Sequence, residues 1–185
     1  MRVLGLSGSL RRASHNRALL RAAAAVLPPG AELEVWDRLA ELPAYDEDLD
    51  GAFAPEPVAA LRDAIAQADA VLIATPEYNA SLPGALKNAL DWASRPYATN
   101  PLRGKPAAVI GASTGLFGAV WAQAEARKVL TTIGADVLDA ELPVGQADAA
   151  FDAHGALRDP ELAAALAALV GALIASSHAA LAEAA

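Results

Sequence analysis

Residues 70–84 read Ala70-Val71-Leu72-Ile73-Ala74-Thr75-Pro76-Glu77-Tyr78-Asn79-Ala80-Ser81-Leu82-Pro83-Gly84. The first five form a continuous apolar run, the pattern of a strand covered on both faces. Pro, Asn and Gly then shape a turn. Pro83 is suited to the first position of a helix, where its missing N–H costs nothing. Leu86, Ala89, Leu90 and Ala93 follow on one helical face. A buried strand that passes through a short loop into a helix is the repeating unit of a parallel sheet.

The same unit recurs on both sides. Val3–Leu6 reads as a strand, and Leu19, Ala23, Val26 and Leu27 place a helix that Pro28-Pro29-Gly30 stops. Leu33, Val35 and Trp36 mark a second strand, and an acidic, proline-flanked loop runs from Glu41 to Pro57. Val58, Leu61 and Ile65 mark a second helix. Further on come a strand at Ala107–Ile110, a helix from about Gly118 to Ile133, a strand at Val137-Leu138 and a final helix opened by Pro160. Alternation of this kind predicts an α/β protein with helices on both faces of a parallel sheet. No repeat or linker interrupts residues 1–185, so a single domain is expected.

Composition narrows the function. The chain has 185 residues, 55% of them hydrophobic, which is ample for a core. The formal net charge is −8, the opposite of what neutralises a phosphate backbone, so no nucleic acid is expected as partner. There is no cysteine, which excludes disulfides, thiolate metal sites and Cys nucleophiles. Leu162–Ala175 is apolar and uncharged, yet shorter than the ~20 residues of a membrane span. It reads as a buried or interfacial helix. The N-terminus enters a strand without the apolar stretch of a signal peptide, so a cytoplasmic protein is the expectation.

In a doubly wound sheet, ligands sit beyond the carboxyl ends of the strands. Loop one, Ser7-Gly8-Ser9-Leu10-Arg11-Arg12-Ala13-Ser14-His15-Asn16, gathers hydroxyls, an amide and arginines at a helix N-terminus. Free N–H groups and the helix dipole favour an anion there. Ser9, Ser14 and Asn16 are suited to donate to phosphate oxygens, and Arg11 to add a charge-assisted bond. The alternative is a capped helix with solvated arginines. Neither a G-x-G-x-x-G nor a G-K-[ST] pattern is present. Loop two, Thr75–Gly84, supplies backbone amides, an aromatic ring and an amide side chain, a lining for a flat polar-edged heterocycle or simply a strand-to-helix turn. Loop three, Gly111-Ala112-Ser113-Thr114-Gly115-Leu116-Phe117-Gly118, contains G-x-S-x-G. That is the nucleophile-elbow pattern, and Ser113, Asp148 and His154 stand in the hydrolase order. The rival reading has Ser113 and its glycines letting backbone approach a ring.

Taken together, GSLRRASHN, TPEYNASLPGALKNALDW and GASTGLFG resemble the NADPH-dependent FMN reductase family over roughly residues 1–140. The resemblance implies a flavodoxin-like three-layer sandwich with a five-stranded parallel sheet in the order 2-1-3-4-5. It implies FMN as cofactor and NADPH or NADH as donor, with a hydride passed through the flavin to a quinone-like acceptor. Ser9, Arg11, Ser14 and Asn16 would hold the FMN phosphate. Pro76, Glu77, Tyr78 and Asn79 would line the isoalloxazine and ribityl region, and Ser113 and Gly115 the ring's other edge. No side chain is then required as catalytic acid or nucleophile. A homodimer, or a homotetramer, is implied, with the flavin near a subunit interface. Ala80, Ala119 and Trp121 depart from the Tyr, Gly and Arg common at those positions in relatives, and two of these positions tie tetramers together. The alternatives are a flavodoxin-type electron carrier, whose phosphate loops usually lack an arginine, and a serine hydrolase built on Ser113.

Three further motifs carry less. Asp46-Glu47-Asp48-Leu49-Asp50-Gly51 imitates the start of a calcium loop, but Pro57 stands where the bidentate Glu belongs. His15, His154 and His178 lack metal-ligand spacing, so no metal is expected. Asp37 ends a strand without the glycine fingerprint of a dinucleotide site.

Overall fold

A computed structural model describes residues 1–51 and 54–183. Ala52 and Phe53 of the acidic loop, and the last two residues of the expected 1–185 domain, lie outside the described residues. The strands are β1 (Arg2–Ser7), β2 (Glu32–Trp36), β3 (Ala70–Thr75), β4 (Pro106–Ala112), β5 (Asp136–Val137) and β6 (Pro143–Val144). The helices are α1 (His15–Ala25), α2 (Glu56–Gln67), α3 (Gly84–Ala93), α4 (Val120–Ile133) and α5 (Pro160–Glu183).

The sheet is parallel, in the order β2-β1-β3-β4-β5, with β6 also paired to β4. The expected order is therefore observed, and the fold is flavodoxin-like. The fifth position differs in detail. Two short strands share it, β5 beside the start of β4 and β6 beside its end. Leu138 falls just outside β5, though its N–H still reaches Ala107 O at 2.9 Å.

Val58, Leu61 and Ile65 of α2 pack with α3 and α4 on one face of the sheet. Leu19, Leu20 and Ala23 of α1 pack with α5 on the other. Small residues on the sheet, such as Ala70, Ala74, Ala107 and Ala108, leave no accessible surface between the layers. Close packing of this kind maximises dispersion contacts per residue. Several boundaries shift from the sequence expectation, among them the start of α4, at Val120 rather than about Gly118. Val26 caps α1 and is 40% exposed rather than on its buried face. Pro83 stands one residue earlier than expected, at the N-cap of α3.

Helix α5 is longer than the apolar run suggested, because Ser176, Ser177 and His178 continue it. Pro160–Ala182 is long and apolar enough to cross a membrane by length and composition. In the structure Leu166, Leu169, Val170, Leu173 and Ile174 are instead buried in the core beside α1.

Candidate functional site

The carboxyl ends of β1, β3 and β4 lie side by side, with Ser7 opposite Ala74 and Thr75 opposite Gly111. Their loops enclose a cleft of about 260 Å³ lined by Ser9, Arg11, His15, Asn16, Pro76, Glu77, Tyr78, Ala112, Ser113 and Thr114. Most of the residues expected to bind a cofactor thus converge on one cavity. Ser14, Asn79 and Gly115 are adjacent in sequence but do not line it.

Loop one leaves a cluster of donors without protein acceptors among the described residues. Ser14 caps α1, its Oγ accepting from Arg17 N at 3.2 Å. Ser9 Oγ accepts a long bond from Arg11 N at 3.4 Å. Neither hydroxyl proton has a protein acceptor among the described residues. The same holds for the backbone N–H groups of Leu10, Arg12, Ala13, Ser14, His15 and Asn16. Donors left open at a helix N-terminus favour an anion. Arg11 is folded back over its own loop, donating from Nε (2.9 Å) and Nη2 (2.5 Å) to Ala13 O.

Asn16 has a second occupation. Its Nδ2 donates to Ala112 O, and its Oδ1 accepts from Ala112 N, both at 2.9 Å. The buried amide therefore ties the start of α1 to the end of β4 while it lines the cleft.

Loop two is a two-residue hairpin. Tyr78 and Ser81 exchange backbone bonds of 3.0 and 3.1 Å, with Asn79 (φ 54°) and Ala80 (φ 60°) at its tip. Both tip residues are left-handed, the requirement of this turn type. Asn79 is thereby turned out to solvent. The Glu77 carboxylate does not face a ligand alone. It accepts from Trp121 N (3.0 Å) and Ala122 N (3.1 Å), capping α4, whose own N-cap residue Ala119 has no side chain for that task. In return Glu125 of α4 accepts from Ser81 Oγ and Leu82 N, at 2.5 and 3.1 Å.

Loop three is held from behind. Ser113 N donates to Val144 O at 3.0 Å, and Ser113 Oγ accepts from Gly115 N at 3.1 Å. The fully buried Gln123 donates to Gly118 O and accepts from Leu142 N, each at 3.0 Å. Gly118 is left-handed (φ +58°), and a Cβ there would stand 2.3 Å from Pro143 C. Neither Gln123 nor Glu125 was singled out by sequence reasoning. Their partners lie in other loops, and no spacing rule signals them.

The hydrolase constellation is not assembled. Asp148 Oδ1 contacts His15 Nε2 at 3.0 Å. His154 belongs to a separate turn, where Asp152 Oδ1 accepts from its N–H and from that of Ala156. Those bonds, first from Ala156 and then from His154, hold the Asp152 carboxyl below the usual aspartate range.

At the rim of the cleft Leu116, Phe117, Trp121 and Tyr78 are 71%, 60%, 49% and 53% exposed. Phe117 and Trp121 meet edge to face, with centroids 5.2 Å apart.

A flavodoxin-like sheet with an open phosphate-type loop and a flat cleft beside it defines a mononucleotide-binding protein. Residues 1–149 match the model of the NADPH-dependent FMN reductase family, and the chain belongs to that family. It is 46% identical over 160 residues to an NAD(P)H-dependent FMN reductase of Pseudomonas aeruginosa, covering 86% of this chain and 85% of that one. It is 40% identical over 156 residues to a 2-hydroxy-1,4-benzoquinone reductase of a Burkholderia species, with 84% of each chain covered. FerB, a flavoenzyme NAD(P)H:(acceptor) oxidoreductase from Paracoccus denitrificans, superposes with a TM-score of 0.85 at 40% identity over 96% of this chain and 97% of its own. The protein is therefore an FMN-dependent NAD(P)H oxidoreductase. The readings as electron carrier or serine hydrolase fall away.

Proposed function

We propose that residues 1–185 form a single FMN-binding domain of a cytoplasmic NAD(P)H:quinone oxidoreductase, active as a homodimer. The observation that carries this is the donor set of loop one, open beside a cleft walled by the loops after β3 and β4. FMN fits it by chemistry: a dianionic phosphate meets unpaired N–H groups, free hydroxyl protons and an exposed guanidinium.

Ser9, Ser14 and Arg11 bind the phosphate. Asn16 holds the loop to β4 and keeps its second Nδ2 proton for the ligand. Pro76, Glu77, Tyr78 and Asn79 frame the ring and ribityl chain on one side, with Ser113 and Gly115 on the other. FMN held there would supply the redox chemistry, hydride acceptance from a nicotinamide and two-electron delivery to an acceptor. The side chains bind, orient and leave one ring face open to the two substrates in turn. The exposed Leu116, Phe117, Trp121 and Tyr78 are the surface for a second copy, which closes the rim. The acceptor is quinone-like, a reading supported by the likeness to the 2-hydroxy-1,4-benzoquinone reductase.

The test is anaerobic mixing of FMN-loaded protein with NADPH and with NADH. Rapid loss of the visible flavin band, restored by 1,4-benzoquinone, is the expected result. A band that persists with both donors overturns the reductase assignment.

A further inference from the structure

One nitrogen in the cleft faces two partners. His15 Nε2 lies 3.0 Å from Arg11 Nη2 and 3.0 Å from Asp148 Oδ1. A ring nitrogen has a single in-plane site. It carries either a lone pair, which accepts from the guanidinium, or a proton, which it donates to the carboxylate. The two contacts therefore exclude one another as hydrogen bonds. When Nε2 accepts from Arg11, its lone pair opposes Asp148. When it donates to Asp148, its N–H opposes Arg11.

We propose that His15 is a positioning residue for Arg11, and that Asp148 biases it toward release; the proposal rests on the FMN reading of the cleft. In the structure Arg11 rests on Ala13 O and beside Nε2, whose lone pair it meets when the ring proton is on Nδ1. A phosphate in loop one draws the guanidinium away. Nε2 then takes a proton from solvent, the ring gives up the one on Nδ1, and the new N–H donates to Asp148. Asp148 comes from the loop after β6, so the device links that loop to the start of α1, |i−j| = 133. Of the other ionisable groups lining the cleft, Glu77 is committed to the α4 N–H groups, and Tyr78 makes no side-chain bond to His15.

The mechanism and simple charge arithmetic predict opposite signs. Asp148 is an anion near an anion site, so as a bystander its removal should tighten FMN binding. As the acceptor that rewards release, its removal should stabilise the parked state and weaken FMN binding.

The experiment measures affinities of FMN and riboflavin for wild type, Asp148→Asn, His15→Phe and the double variant. Riboflavin lacks the phosphate, and its retention certifies a folded cleft in each protein. Asp148→Asn is expected to weaken FMN binding about three- to tenfold and to leave riboflavin unchanged. In the His15→Phe background the same change should no longer weaken it. In ¹⁵N-histidine spectra of the wild type, FMN but not riboflavin should turn the His15 Nε2 from unprotonated to protonated. If Asp148→Asn tightens FMN binding or leaves it unchanged, or if the Nε2 signal is indifferent to FMN, the proposal is overturned while the cleft assignment stands. If wild type holds FMN no more tightly than riboflavin, the phosphate reading fails and the proposal with it.

Discussion

The side-chain amide of Asn16 pairs with both backbone polar groups of Ala112, donor to acceptor and acceptor to donor, across a sequence separation of 96. It is a strand-like pairing made by a side chain. It lets β4 end and loop three begin without orphaned backbone groups, and it fixes the first loop against the third.

Asn16→Ala strips the partners from a buried N–H and a buried C=O. Each unsatisfied group costs about 1–3 kcal/mol, so a loss of about 2–4 kcal/mol in unfolding free energy is expected. Urea unfolding of the flavin-free protein checks this. The midpoint should fall with the slope unchanged. A loss below about 1 kcal/mol would show that water replaces the amide without cost.

Arg11→Ala should weaken FMN binding and spare riboflavin. A hydrogen bond to a charged group is worth about 1.5–3 kcal/mol, or one to two decades in affinity. Titration of both ligands by flavin fluorescence decides the matter. Equal losses for the two would make Arg11 a residue of the loop's fold rather than of the phosphate.

Ser113→Ala deletes one neutral bond, that from Gly115 N, worth about 0.5–1.5 kcal/mol. NAD(P)H-dependent quinone reduction should drop by tenfold or less. His154→Ala should match wild type, because His154 sits in the Asp152 turn and takes no part in the cleft. None of the three proteins should hydrolyse p-nitrophenyl esters. Ester hydrolysis in wild type that both variants lose would revive the hydrolase.

Gly118→Ala places a Cβ against rigid backbone at a left-handed φ. A clash at this depth cannot relax without moving β6. A destabilisation of about 3 kcal/mol or more is expected, read by thermal unfolding. A variant of wild-type stability would mean that the Gly118–Pro143 approach is not as close as described.

The strands and the helix faces were legible because their information is local. Val71–Ile73 announces itself as a continuous apolar run and Val58, Leu61, Ile65 by helical period, and all are buried. The ends of elements were less so. Val26 fits the helical period but falls at the cap, and Pro83 tolerates either of two neighbouring positions. The split fifth strand was invisible because β6 has only two residues, too few for a periodicity to form. In the cleft, motif residues were found by type, but their commitments were not. That Glu77 caps α4, that Asn16 clasps Ala112 and that Asp148 reaches His15 depend on loops meeting in space, which no spacing encodes.

The paired carboxylates Glu77 and Glu125 have a mechanical consequence. Each reaches across the gap between the loop-two hairpin and α4, in opposite directions, so the two segments are braced twice. Trp121 stands at the α4 end of that brace, in edge-to-face contact with Phe117, and Tyr78 at the hairpin end. Loss of either carboxylate leaves the other to hold the hairpin against α4 alone.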